Sequence, residues 1–241
     1  MSKYLLANHV FICYCSNEAV LLDLKADRYV GLREATVRSL ASLVEGWPES
    51  RGTAHQAARA ETTAEDSRQL VNTLLGRGLL TTDARQGRAA IPDHPEDAAT
   101  DLIDEDIDAA PTMRAHHVFN FFRAALVATV SLRWRPLDRV VERVQRRKRT
   151  QAAAQNADLE SARSLVTIYQ TLRPFVFTAR DKCLFDGLAM VEFLSRYGLF
   201  PDWIFGVQAG PFAAHCWVQQ RGVVFNDTAD HVRSYTPIMV V

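Results

Sequence analysis

Four cysteines in 241 residues, Cys13, Cys15, Cys183 and Cys216, are too few and too irregularly spaced for a disulfide-stapled module or a zinc ribbon. Each is expected to be a thiol. Net charge is also missing: 28 Lys and Arg balance 28 Asp and Glu, so no global basic field argues for a nucleic-acid partner. No apolar run reaches the roughly 20 residues that a membrane span needs. The longest, 118–132, is interrupted by Asn120 and Arg123. The first fourteen residues have too short an apolar stretch and the wrong flanks for a secretory signal, so a cytoplasmic protein is expected. A Gly-x-x-x-x-Gly-Lys-Ser/Thr loop is absent as well, so no motif binds a nucleotide.

What is there is ordinary globular material, 48% hydrophobic and 23% charged, long enough for two small domains. Three apolar or β-branched runs, 9–14, 19–24 and 28–32, are separated by turn-type residues and predict a small antiparallel sheet. Apolar residues then recur at helical spacing through Val37, Leu40 and Val44 and through Leu70, Val71, Leu74 and Leu75, with a weaker helix near 55–60. Three strands followed by three helices outline a winged helix-turn-helix over 1–82, although Glu65, Asp66, Arg68 and Gln69 make a mixed face unsuited to phosphates. Residues 83–112 hold Pro92, Pro95, Pro111 and an acidic run from Asp93 to Asp108, and read as a linker. The basic run Arg146, Arg147, Lys148, Arg149 reads as a solvated helix end.

From 113 to 241 the pattern is helical, then extended. Val118, Phe121, Phe122, Ala125 and Leu126 predict one core stripe, Val140, Val141 and Val144 a second, and Leu165, Ile168, Tyr169 and Leu172 a third. A helix over 182–197 ends at Gly198, and short runs beyond Pro201 predict an antiparallel sheet. The expected class is α+β: a winged helix-turn-helix, then a domain of helices and antiparallel sheet.

Cys183 falls at the first turn of the predicted helix, where unpaired amides and the helix dipole lower a thiol pKa. The same amides can stabilise an oxyanion. A cysteine nucleophile needs a histidine base oriented by a carboxylate. His215 starts one predicted strand and Asp227 follows the next, so a hairpin around Arg221-Gly222 brings Asp227 to the Nδ1 side of His215. Each residue alone has a bland reading: a buried small hydrophobe, a satisfied histidine, a turn cap. The order of helix-borne Cys, strand-start His and post-strand Asp is what singles them out. Cys216 is expected on the face opposite His215. His231 is a rival base. No metal site is expected, since Cys13 and Cys15 lack further ligands and His9, His116 and His117 have no Glu or Cys at metal spacing.

This arrangement resembles the transglutaminase-like and papain-like cysteine peptidases. More narrowly, Cys183, the run Pro211 to Val218 and the pair Asn226-Asp227 resemble the leader peptidases of lasso-peptide biosynthesis. Gln219 and Cys216 depart from the family's usual Glu and Ala. The resemblance extends to a fused PqqD-like recognition domain at the N-terminus. It implies a cysteine peptidase with Cys183, His215 and Asp227 as its triad, acting on the leader of a precursor peptide. It further implies an asparagine synthetase-like cyclase as partner, with any ATP requirement met through that partner. The leader would add to the edge strand 28–32, with Tyr29, Val30, Leu70 and Leu74 as contacts. The alternatives are a transglutaminase-like acyltransferase and a non-catalytic precursor-binding adaptor.

Overall fold

The computed structural model describes residues 4–15, 18–47, 64–103, 112–151, 159–177 and 182–241. It is a mixed α+β protein of two compact units, one built mainly from Met1–Asp93 and the other mainly from the residues beyond it.

In the first unit, β1 (Leu5–Ala7) precedes a meander of β2 (Val10–Cys15), β3 (Glu18–Asp23) and β4 (Arg28–Leu32). The meander is antiparallel with Phe11 opposite Leu22 and Leu21 opposite Val30. These are the three strands that the apolar and β-branched runs predict. Two helices follow, α1 (Glu34–Ala41) and α2 (Ala64–Gly76). After α2 the chain closes in the left-handed conformation at Gly78 (φ 69°), where Leu79 N–H donates to the Leu74 carbonyl. The helix expected near 55–60 lies outside the described residues. Ile12, Leu21, Leu40, Val71, Leu74 and Leu79 form the core.

Three short pairings escape the sequence pattern. β5 (Leu80–Thr81) and β6 (Gly87–Arg88) flank β1 in a second sheet, and strands of two or three residues carry no readable alternation. Within 83–112, read as linker, β6 joins the first unit and β7 (Thr100–Asp101) pairs in parallel with a strand of the second. Residues 104–111, which include the end of the acidic run, lie outside the described residues.

The second unit begins with α3 (Ala115–Trp134), α4 (Leu137–Gln151), α5 (Leu159–Leu172) and α6 (Cys183–Leu194). β8 (Asp202–Ala209), β9 (Phe212–Gln220), β10 (Val223–Val224), the short α7 (Ala229–Val232) and β11 (Thr236–Val240) follow, with Ala209–Phe212 and Thr236–Met239 grouping with the first unit. The sheet order is β11-β8-β9-β10-β7. Every residue of α6 from Asp186 to Leu194 is buried, as befits a helix enclosed on all sides.

Two sequence expectations are corrected here. On α3 the buried face is Phe121, Ala124, Ala125, Ala128 and Ser131, whereas Phe122 and Leu126, expected in the core, are exposed. Small residues let α3 approach α6 closely, and the larger ones are left outside. The basic run is not simply a solvated helix end. Arg143 and Arg147 pair with the buried Glu192 of α6 at 2.7 and 2.8 Å, and Lys148 pairs with Asp202. Among the described residues, no helix is long and apolar enough to cross a membrane.

Candidate active site

Cys183 is the first residue of α6, preceded by Lys182 in a non-helical conformation with no side-chain cap. The first-turn amides beyond it therefore lack intrahelical acceptors, and the positive end of the helix dipole lies beside the sulfur. β9 brings two groups to that sulfur. The Cys216 thiol and backbone N–H both hydrogen-bond to Cys183, and so does His215. The Cys216 thiol is the largest influence; against the opposing effect of burial, these bonds and the His215 charge bring the Cys183 thiol down to about 4. Cys216 is itself pushed well above its ordinary value, first by burial, and so stays protonated as a donor.

His215 Nε2 donates to Asp227 Oδ2 at 2.6 Å. The sequence expectation put the carboxylate on Nδ1. Instead Nε2 meets it, which leaves Nδ1 for Cys183. Burial alone would lower the imidazole pKa, but the hydrogen bonds to Asp227 and Cys183 outweigh it and raise His215 to about 9. Asp227 is buried enough to be raised, yet its bonds from His215, His231 and the Thr228 N–H hold it below the usual carboxylate range. A thiolate and an imidazolium thus share the site at neutral pH, with a carboxylate behind them. Such a grouping has the chemistry that cysteine nucleophile catalysis requires: a thiolate, a proton donor and acceptor beside it, and a carboxylate that orients the imidazole.

The supporting contacts explain why these three residues sit where they do. Trp217 lies parallel to the His215 ring at 6.1 Å and Tyr235 tilts against it at 5.1 Å. Asp186, one turn along α6 from Cys183, is 2% exposed and accepts from Tyr169 Oη at 3.0 Å and Asn226 Nδ2 at 3.0 Å, with Arg173 at 3.5 Å. Asn226 Oδ1 in turn accepts from the Val218 N–H at 2.8 Å. Asp186 therefore ties α6 to the strand end that delivers Asp227. Neither Asp186 nor Tyr169 stood out in the sequence as a site residue; an acidic residue in the first turn of a largely apolar helix was the available signal. Burial raises the Asp186 pKa against the bonds from Asn226, Arg173 and Tyr169.

Cys216 and His231 depart from expectation. Cys216, expected on the face opposite His215, nevertheless reaches Cys183, to which both its thiol and its backbone N–H are hydrogen-bonded. His231 Nδ1 reaches Asp227 Oδ2 at 2.8 Å, so it shares the carboxylate with His215 rather than replacing it. The ligand atoms of His215, Asp227 and His231 all lie within 4.8 Å of one another, a grouping capable of holding a metal ion that linear spacing did not reveal.

The residues expected to bind a leader lie in the first unit. Tyr29 and Val30 are half-buried on β4, an edge strand of its sheet. Val30 and Leu70 pack against the core, and Leu74 is 4% exposed within it. Leu74 therefore seats α2 on the sheet and offers little surface to a ligand.

No curated protein and no solved structure matches the chain. Residues 122–240, which hold Cys183, His215 and Asp227, match the family model of the transglutaminase-like superfamily, and the C-terminal part of this chain carries a transglutaminase-like domain.

Proposed function

We propose that the protein is a cysteine peptidase that cleaves the leader from a ribosomally made precursor peptide of the lasso type. The observation that carries this reading is the constellation of a helix-start thiol lowered to about 4, an imidazole raised to about 9 and a carboxylate at 2.6 Å from that imidazole. The Cys183 thiolate attacks the carbonyl of the scissile bond. Amides at the start of α6 donate hydrogen bonds to the developing oxyanion. His215 passes its proton to the departing amine, the C–N bond breaks, and a thioester to the leader remains. Water, deprotonated by His215, then releases the leader acid and restores the thiol.

The first unit would hold the leader as an added strand along β4, with Tyr29, Val30 and Leu70 supplying side-chain contacts and Leu74 supporting them from the core. Its strands and helices are read as the PqqD-like, winged recognition domain. Binding there raises the local concentration of the scissile bond to roughly millimolar, so the groove at Cys183 need not bind tightly. An asparagine synthetase-like cyclase would take the released core, and any ATP requirement would arise through it.

The test is mass spectrometry of a cognate precursor incubated with wild-type protein and with Cys183→Ala, with and without the cyclase and ATP. Leader release by the wild type alone supports the peptidase. Equal release by both variants sinks the triad. A product heavier by an added amine identifies an acyltransferase, and no turnover by either leaves a precursor-binding adaptor.

A further inference from the structure

We propose that His215, Asp227 and His231 form a binding site for a zinc-type divalent cation. The site stands on its own geometry; its consequence, inhibition of the thiol chemistry, rests on the peptidase reading above. Nε2 of His215, Oδ2 of Asp227 and Nδ1 of His231 lie within 4.8 Å of one another, with the two imidazole nitrogens 2.6 and 2.8 Å from the same carboxylate oxygen. Two imidazoles and a carboxylate are a common zinc ligand set. Bonds of about 2.0–2.2 Å to a four-coordinate ion separate neighbouring ligand atoms by roughly 3.4 Å. Each short contact therefore opens by less than about 1 Å, a movement within reach of side-chain torsions.

The surroundings already hold the three groups as an outer shell would. Asp227 Oδ1 accepts from the Thr228 N–H at 2.7 Å, which fixes the carboxylate with Oδ2 turned to both histidines. The Thr228 side chain caps α7 by accepting from the His231 N–H, and so sets His231 one turn beyond Asp227. Cys183 hydrogen-bonds to the same imidazole, whose Nε2 is the nitrogen that faces Asp227. The His231 side chain is 48% exposed and gives the ion an entry path, and three protein ligands leave one position for water.

On binding, the ion replaces the proton held between His215 and Asp227, which leaves to solvent, and the proton on His231 Nδ1 is exchanged through solvent to its Nε2, which frees Nδ1 to ligate; no electrons move. A coordinated imidazole cannot take up a second proton at Nε2, so it gives up its Nδ1 proton far less readily than an imidazolium does. The leaving amine then loses its acid, and Asp227 no longer supports the imidazolium.

The experiment uses the full chain carrying Cys183→Ala, so that the catalytic thiol is not a ligand, titrated with Co²⁺ and followed by its visible absorption. One equivalent with tetrahedral-type bands and no thiolate charge-transfer band, displaced by Zn²⁺, is expected. Adding His231→Ala should weaken binding at least tenfold, and His231→Gln, whose amide can still reach Asp227, should weaken it likewise with the fold intact by circular dichroism. Absence of bands at millimolar Co²⁺, thiolate bands pointing to Cys13 and Cys15, or unchanged affinity in both His231 variants overturns the site. For the wild type, Zn²⁺ should slow precursor cleavage at least tenfold and a chelator should restore it. Metal binding in Cys183→Ala without any cleavage by the wild type would leave the site standing and the peptidase reading fallen.

Discussion

A thiol can stabilise a neighbouring thiolate only if it keeps its own proton, and full burial secures this for Cys216. Cys183 thereby gains two donors from one residue, a sulfhydryl and a backbone amide. Replacing Cys216 with Ala removes the first and keeps the second. Since a hydrogen bond to a charged group contributes about 1.5–3 kcal/mol, kcat/KM should fall roughly 10- to 100-fold. The Cys183 pKa should also rise from about 4 toward its ordinary 9.0, read from the pH dependence of alkylation by iodoacetamide. An unchanged alkylation profile would show that the helix end and His215 suffice. That Cys183, His215 and Asp227 come together was legible in the sequence because their residue types, order and places at element ends all pointed to one site. The role of Cys216 was not, because alternation along a strand assigns side-chain faces and says nothing of a backbone N–H. His231 was legible as a neighbour of Asp227 but not as its second partner, because α7 exists only through the four-residue turn that Thr228 caps.

At the level of elements, the position of the nucleophile depends on how α6 is seated. Gly187 lies against Trp203 of β8, and a Cβ there would stand 2.5 Å from the indole nitrogen. Gly187→Ala must therefore push α6 away from the sheet. Overpacking of this kind costs typically about 1–3 kcal/mol, and Tm should fall by several degrees with a larger loss in kcat than in KM. Wild-type Tm and activity in this variant would mean that Trp203 moves aside freely. The far end of α6 is held by Glu192, 2% exposed and shared by Arg143 and Arg147 of α4. Glu192→Ala strands two guanidinium groups and should cost about 3–5 kcal/mol in urea unfolding. If it costs under about 1 kcal/mol, the arginines are hydrated and α4 is not anchored by charge. The sequence carried α4 through its Val140, Val141 and Val144 stripe, and it carried the meander β2 to β4 through apolar and β-branched runs broken by turn residues. It did not carry the fate of the basic run, because a charge run looks the same whether it meets water or a carboxylate 45 residues away. Nor did it carry the α3 face, where small alanines and not Phe122 and Leu126 make the contact.

For the molecule as a whole, the ion pair at the site leaves a signature in the dependence of stability on pH. Cys183 titrates at about 4 when folded and at 9.0 when unfolded, while His215 titrates at about 9 when folded and at 6.5 when unfolded. The depressed thiol contributes stability that is present above its unfolded pKa and lost as pH falls through the folded one. The raised histidine does the opposite: its stability is present below 6.5 and lost as pH rises through about 9. Between about 6.5 and 9 the folded pair holds one proton on His215 and the unfolded pair holds one on Cys183, so the two slopes cancel. Below 6.5 the unfolded chain binds the extra proton, and stability falls with pH; the depressed Asp227 extends that fall at the acid end. The midpoint of urea unfolding should thus be flat from about pH 6.5 to 9 and decline toward pH 4. In Cys183→Ala the thiol term vanishes while the Asp227 bond still raises His215, so stability should decline as pH rises through the former plateau. If the variant keeps the plateau, the folded protein holds Cys183 as a neutral thiol beside a neutral imidazole, and the nucleophile would have to be activated only when substrate arrives.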